Sequence, residues 1–395
     1  MRPIYGKIIN IVFGLAIGVV LSEACVRVLW NRQIIRMDNL GVISYAFMRE
    51  TSNPDIPFEL KPDADIDISY PHYAGHVVTN RDGFRDREYP VQKRKGVYRI
   101  MVLGDSITFG FEIRENKDVY HSILEEMLNA EAPAGKRFEV IGTAVPGYNT
   151  CIEVNVLKEK GLKYDPDLVI FAYCLNDMRD SIYSCEYGRG LHLGCSNPSI
   201  LKLPSFVRRQ LRRSVLYSFL ANKANMLRSY LSARSELKKA RTTTEEPRQP
   251  ARAALKPAVP SSVKLYFPTD SVWYSIYKES HKGDYISVMD RMILDDLEKM
   301  AKEHFFDVLF IIFPAFEKDP AYFPQGQLYA FEDAHATLRA LFKKHGFLAL
   351  DLKDYLQGRM FDEVAMDDCH LSLQGHRIVA GIVADYCKGY FKERY

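Results

Sequence analysis

Hydrophobic and polar positions divide the chain into stretches of different character. An apolar run over residues 8–21 follows Arg2 and Lys7 and is followed by Glu23, Arg27 and Trp30. The run alone is shorter than the ~20 residues a membrane-spanning helix needs. Extended to Trp30 it is long enough, because Glu23 and Arg27 stand four apart and can pair on one helix face. Trp30 then serves as an interfacial anchor. Glu23 makes a poor cleavage site ahead of Cys25, so residues 1–30 read as an uncleaved membrane anchor. Arg27, Arg32 and Arg36 balance Arg2 and Lys7, which leaves the orientation without a charge bias. Residues 31–96 are polar and proline-containing, with alternating stretches at 66–70 and 75–79 and an Asp82-Gly83 hairpin-turn signal before Phe84. They predict a small β-rich lead-in.

From Tyr98 the rhythm changes. Short apolar runs at 98–103, 138–141, 167–173, 308–313 and 347–352 alternate with helical spacing at 119–130, 152–160, 286–304, 328–344 and from 371 onward. Apolar strands separated by helices predict an α/β domain over 97–395, built on a five-stranded parallel sheet with helices on both faces. Residues 181–280 break the rhythm as an insertion. Phe206, Leu211, Val215, Phe219, Leu227 and Leu231 recur at helical spacing among Arg208, Arg209, Arg212 and Arg213. This basic amphipathic helix, over about 205–240, suits anionic lipid or an acidic glycan, or is a solvated helix packed on the domain. Residues 242–262 have the composition of a flexible linker.

At 395 residues, 47% hydrophobic and 26% charged, the chain buries a core, which excludes collagen, wholesale disorder and a polytopic membrane protein. Lys and Arg number 53 against 50 Asp and Glu, a balance unlike that of a dedicated nucleic-acid binder. Seven cysteines without a C-x-x-C pair argue against structural zinc, and Cys185 and Cys195 bracket a loop they can close in an oxidising compartment.

Candidate chemistry lies after the strands. Gly104-Asp105-Ser106-Ile107-Thr108 follows the first, where a doubly wound sheet binds its ligands. A serine hydroxyl needs a base, and His370 in Asp367-Asp368-Cys369-His370 supplies the imidazole, with Asp367 to fix its tautomer. Gly147 follows the second strand and Asn176-Asp177 the third. A backbone N–H at Gly147 and the Asn176 amide are donors of the kind a developing oxyanion requires. Cys369 is the poorer nucleophile, since adjacent residues rarely face each other. Asp368, His370 and His376 form a poor metal set, as His376 falls inside the last helix. Asp105 and Asp177 read as loop braces.

Together these blocks resemble the SGNH (GDSL) hydrolases: Gly104-Asp105-Ser106 the serine block, Gly147 the glycine block, Asn176-Asp177 the asparagine block and Asp367-x-x-His370 the closing block. The resemblance covers about residues 98–180 and 308–395. It implies a flavodoxin-like three-layer α/β/α fold, Ser106 as nucleophile, His370 as base, Asp367 as its partner, and an oxyanion hole of Ser106, Gly147 and Asn176. It implies no cofactor. Cys174 stands where the family has a glycine, and Gly142-Thr143 where it has an asparagine. The lead-in residues Thr79, Asn80, Gly83, Phe84 and Arg85 are similar to a segment of membrane-anchored bacterial envelope members, which suggests an extracytoplasmic catalytic domain. The expected activity is that of a serine esterase removing acyl groups, acetyl foremost, from an envelope glycan or lipid. The alternatives are an O-acyltransferase with the same residues and a non-catalytic glycan-binding factor.

Overall fold

The computed structural model describes residues 2–31, most of 47–178, a few positions from 214 to 220, and most of 277–394. The linker 242–262, the Cys185–Cys195 pair, Asp368 and nearly all of the basic helix expected over 205–240 lie outside the described residues. The chain divides into two compact units, one of residues 1–46, 69–74 and 193–259, the other of 47–68, 75–192 and 260–395.

In the first unit, helix α1 (Arg2–Asn31) forms over the expected segment. The Glu23 carboxylate accepts from Arg27 Nε at 2.7 Å, the i,i+4 pair its spacing predicts, and also from Ser214 Oγ at 2.7 Å and Leu216 N at 2.8 Å. Among the described residues, however, no helix is long and apolar enough to cross a membrane. This corrects the expectation of a spanning anchor. Exposed Asn10 splits the run and leaves 11–21 between Asn10 and Ser22, well short of the ~20 residues a span requires. Phe13, Leu15, Val19, Val20 and Leu21 are 60–67% exposed, an apolar concentration that marks an interaction surface.

The second unit opens with short strands β1 (Met48–Glu50) and β2 (Phe58–Leu60), paired antiparallel, and holds the 65–68 and 75–78 portions of a two-stranded sheet of β3 (Asp65–Tyr70) and β4 (Tyr73–Val78). Asp82-Gly83 does form a tight turn, with Gly83 at φ +77°, but no hairpin follows: residues 84–96 carry no strand. The turn is organised by Asn80, whose Oδ1 accepts from Asp82 N (3.1 Å) and Phe84 N (2.9 Å). That side chain takes the N–H groups a second strand would have spent on a ladder.

The main sheet follows: β5 (Val97–Gly104), short helix α2 (Ser106–Phe109), α3 (Tyr120–Ala130), β6 (Arg137–Gly142), α4 (Thr150–Val156), β7 (Leu168–Tyr173), α5 (Gly283–Val288), α6 (Asp295–His304), β8 (Asp307–Ile312), α7 (Glu332–Lys344), β9 (Leu348–Asp351) and α8 (Leu373–Arg394). A wide turn over Met289–Leu294 joins α5 to α6. All five strands are parallel in the order β6-β5-β7-β8-β9. Read by succession this is 2-1-3-4-5, the flavodoxin-like order. Every residue of β7 is buried, as a strand covered on both faces must be, and this explains its unbroken apolar run. The chain leaves β5 toward β6 on one side and later returns to β7 on the other. The switch point therefore lies at the carboxyl end of β5, where Gly104 pairs with Ala172.

Candidate active site

At that switch point β5 ends in Gly104, where a Cβ would collide with the Thr108 side chain. Asp105 then caps α2, its carboxylate accepting from Ile107 N at 2.9 Å. Burial pushes the Asp105 carboxyl up to about 6, against the Ile107 N–H and the positive charge of His370. Its lone pairs serve the cap, so the aspartate braces the turn that presents Ser106, which is half-buried.

The partners of Ser106 arrive from the other end of the chain. The chain closes on itself between Ala365 and Leu371, pinned by the antiparallel bridge Ala365–Leu371 and by Met366 N donating to His370 O at 2.9 Å. Ser372 locks its exit by accepting from Gly375 N at 2.9 Å. Inside the loop, Asp367 Oδ1 accepts from Cys369 N (3.0 Å) and His370 N (2.7 Å), which leaves Oδ2 for the His370 ring, 2.7 Å from Nδ1. His370 Nε2 lies 2.8 Å from Ser106 Oγ, across a sequence separation of 264. Hydroxyl, imidazole and carboxylate thus lie in one hydrogen-bonded line. Burial works against the Asp367 charge, but the His370 ring hydrogen bond, the ring's charge and the two backbone N–H groups bring its pKa down to about 2. The carboxylate is therefore ionised through the neutral range.

The expected oxyanion donors follow the strands flanking β5. Gly147, exposed with φ +83°, lies in the loop after β6. Val145 N donates to Gly104 O at 3.1 Å and stitches that loop to the end of the serine strand. The Tyr148 hydroxyl donates to Phe58 O at 2.7 Å, and Asn149 caps α4 through Ile152 N at 3.2 Å. Asn176 follows β7 and is half-buried, with its Oδ1 fully enclosed. Beside it Asp177 Oδ2 accepts from Thr150 Oγ1 at 3.2 Å, tying the asparagine loop to α4. Cys174, also on this turn, is a free buried thiol whose pKa burial and the Asp105 and Asp177 charges push well up. It is inert packing at neutral pH.

Three features escaped the sequence reading. Phe111 stacks on the His370 ring, centroids 5.3 Å apart and planes 26° apart. Cys369 Sγ lies 3.5 Å from His370 Nδ1 and 3.9 Å from Nε2, so the thiol does face the imidazole, which corrects the expectation that these adjacent residues would not. Cys151, on α4, is disulfide-bonded. No local periodicity encodes any of the three. The donors Asp367, Cys369 and His370 do converge within 4.8 Å, whereas His376 sits apart in the core, 1% exposed, its Nδ1 accepting from Tyr120 N at 3.1 Å.

No protein-family model and no curated protein matches the chain. Among solved structures, a two-domain esterase (CEX) active on acetylated mannans is 13% identical with a TM-score of 0.39, over 74% of this chain and 49% of that one. The chain thus spans about half the length of that esterase. The acetyl xylan esterase AlAXEase is 13% identical with a TM-score of 0.34, over 73% and 98% of the two chains. A lipase/acylhydrolase from Enterococcus faecalis is 12% identical with a TM-score of 0.36, over 74% and 96%. No activity carries over at these scores. The chain resembles the SGNH hydrolases, and the weight of that likeness lies in the serine and closing blocks that meet at the end of β5.

Proposed function

We propose that the protein is a serine esterase that cleaves acyl esters, acetyl esters foremost, of a cell-envelope glycan or lipid. The observation that carries this reading is the hydrogen-bonded line from Ser106 Oγ through His370 to Asp367. In the mechanism, the Ser106 hydroxyl donates to His370 Nε2 and the ring donates from Nδ1 to Asp367, which fixes the tautomer. Ser106 Oγ attacks the acyl carbonyl carbon as its proton passes to Nε2. The oxyanion is held by the backbone N–H groups of Ser106 and Gly147 and the Asn176 amide, each donor contributing on the order of 3 kcal/mol to the transition state. The imidazolium then hands its proton to the departing alcohol, and a water activated by the same Nε2 releases the acyl group. The ionised Asp367 steadies the imidazolium throughout.

The disulfide at Cys151 supports an extracytoplasmic location, since such bonds persist in oxidising compartments. The exposed apolar side chains of α1 support attachment of the N-terminal segment to a membrane. A fluorophosphonate probe tests the central claim. We expect it to label the wild type and to spare Ser106→Ala; equal labelling of both would overturn the assignment. Deletion of residues 1–31 is expected to move the protein from the membrane fraction to the soluble one.

A further inference from the structure

The end of the serine helix and the chain just beyond it, at Phe109, Gly110 and Ile113, are held from outside the α/β sheet. Arg85 of the lead-in is 2% exposed, and its guanidinium donates to the carbonyls of Phe109 (2.8 Å), Gly110 (2.8 Å), His76 (3.0 Å) and Ile113, and to Asn116 Oδ1 (3.1 Å). The guanidinium carbon also lies 4.7 Å over the Phe109 ring, which stacks on Phe47 at 5.5 Å. One planar cation thus fixes the loop on both sides of Phe111. Gly110 at φ +76° turns the chain, and Phe111 N donates to Ser106 O at 3.2 Å. The Phe111 ring, so placed, stacks on His370.

We infer that Phe111 is a positioning residue for the His370 base and that Arg85 is its anchor, so that the lead-in segment is part of the catalytic architecture. The inference rests on the proposed role of His370. A stacked ring restricts rotation of the imidazole about its own bond, and an aromatic face within about 6 Å favours the cationic form. That form arises each time Ser106 gives up its proton. Also facing the ring are Ser106 and Asp367 through hydrogen bonds, the Cys369 thiol, the Asp105 carboxylate and the neutral His376 ring.

Phe111→Leu keeps apolar bulk and removes the aromatic face, whereas Phe111→Tyr keeps the face. With a soluble aryl acetate, kcat of the leucine variant is expected to fall about two- to fivefold with little change in KM. The His370 protonation midpoint, followed by imidazole NMR, is expected to drop by about half a pH unit, carrying the acidic limb of kcat/KM to lower pH. The tyrosine variant should restore both, and Arg85→Lys, which loses the planar fork, should move both in the leucine direction. A leucine variant with a wild-type midpoint, or a tyrosine variant that fails to recover it, would overturn the inference. If Arg85→Lys does not fold, the half-buried Phe111 pair decides alone. The NMR midpoint needs no turnover, so an unlabelled Ser106 would sink the esterase reading and leave this result standing.

Discussion

Two histidines bound to carboxylates lie at opposite ends of the parallel sheet, and their second partners separate their chemistry. His370, beyond the carboxyl ends of the strands, gives one nitrogen to Asp367 and the other to a hydroxyl. His345, just before β9 at the amino ends, gives both nitrogens to carboxylates: Nδ1 lies 2.8 Å from Glu298 and Nε2 2.7 Å from Asp290. Both ring nitrogens of His345 are thus taken up by carboxylates, and neither is left to reach a hydroxyl. A hydroxyl can itself donate, so the His370 Nε2 lone pair that accepts from Ser106 can act as a base. Asp295, Lys344 and Lys302 complete the charge cluster around His345, which welds the α5–α6 turn to the end of α7. Identical functional groups thus make a proton acceptor at one end of the sheet and a rivet at the other.

The largest effect that breaks this comparison comes from Asp367→Asn. The amide retains the shape but favours the wrong tautomer at His370, so ester hydrolysis should fall about 10²–10⁴-fold with the melting temperature almost unchanged. Kinetics paired with thermal denaturation check it; a drop below tenfold would remove Asp367 from the mechanism.

Two buried rings supply a third state. His121 has neither nitrogen hydrogen-bonded, and burial, with the Arg85 charge, pushes its pKa down to about 3; His376 is brought to about 3 by burial, with the Arg85 charge again adding to it. Both are neutral in the folded chain and protonate near 6.5 when unfolded. The unfolded state therefore binds more protons between about pH 6.5 and 3, so stability is lost as pH falls through that window. Buried Asp86, pushed up to about 7 by desolvation, works in the opposite direction, so the His121 share is read as a difference between proteins. In urea denaturation the stability of His121→Leu relative to the wild type should rise by about 3 kcal/mol between pH 7 and pH 4, and a constant difference would place the acid sensitivity elsewhere.

The same contrast marks how far the sequence alone carries. The five strands were legible because parallel strands buried on both faces are continuous apolar runs, and Asp367 and His370 because a three-residue spacing lets one loop close on itself. The contact with Ser106 has no local signature, and only the order of the blocks along a doubly wound sheet pointed to it. Phe111 and Arg85 were opaque for a different reason. Most of the Arg85 acceptors are backbone carbonyl oxygens, three of them 24 to 28 residues away, which no side-chain pattern encodes. The spanning reading of α1 needed the run to continue past Glu23 and Arg27 to Trp30, and with Asn10 near its start no described helix is long and apolar enough to cross.

At the amino-end rivet, His345→Gln should destabilise the fold by about 1–2 kcal/mol while leaving ester hydrolysis within twofold. The ring hydrogen bonds help hold the Asp290 and Glu298 carboxyls below their ordinary range. Folded values below the unfolded ones mean that this stabilisation is present above about pH 4.5 and fades as pH falls below it. The difference in stability between variant and wild type should therefore shrink from pH 6 to pH 3. A variant that loses activity in proportion to stability would show that the two ends of the sheet are not independent.

The smallest effect sharpens the His370 side. Cys369 Sγ is nearly equidistant from both ring nitrogens, at 3.5 and 3.9 Å. An in-plane approach at those distances would drive the sulfur into the ring carbon between the nitrogens, so the thiol lies over the imidazole face. From there it adds polarizable contact without taking either nitrogen from Asp367 or Ser106. The loop geometry around it depends on the Cys369 backbone N–H, which any residue supplies. Cys369→Ala should therefore hold kcat/KM within about threefold of the wild type, with fluorophosphonate labelling intact. A loss on the scale of Asp367→Asn would mean that the nucleophile is the sulfur beside the imidazole and that Ser106 only fills its hydrogen bond.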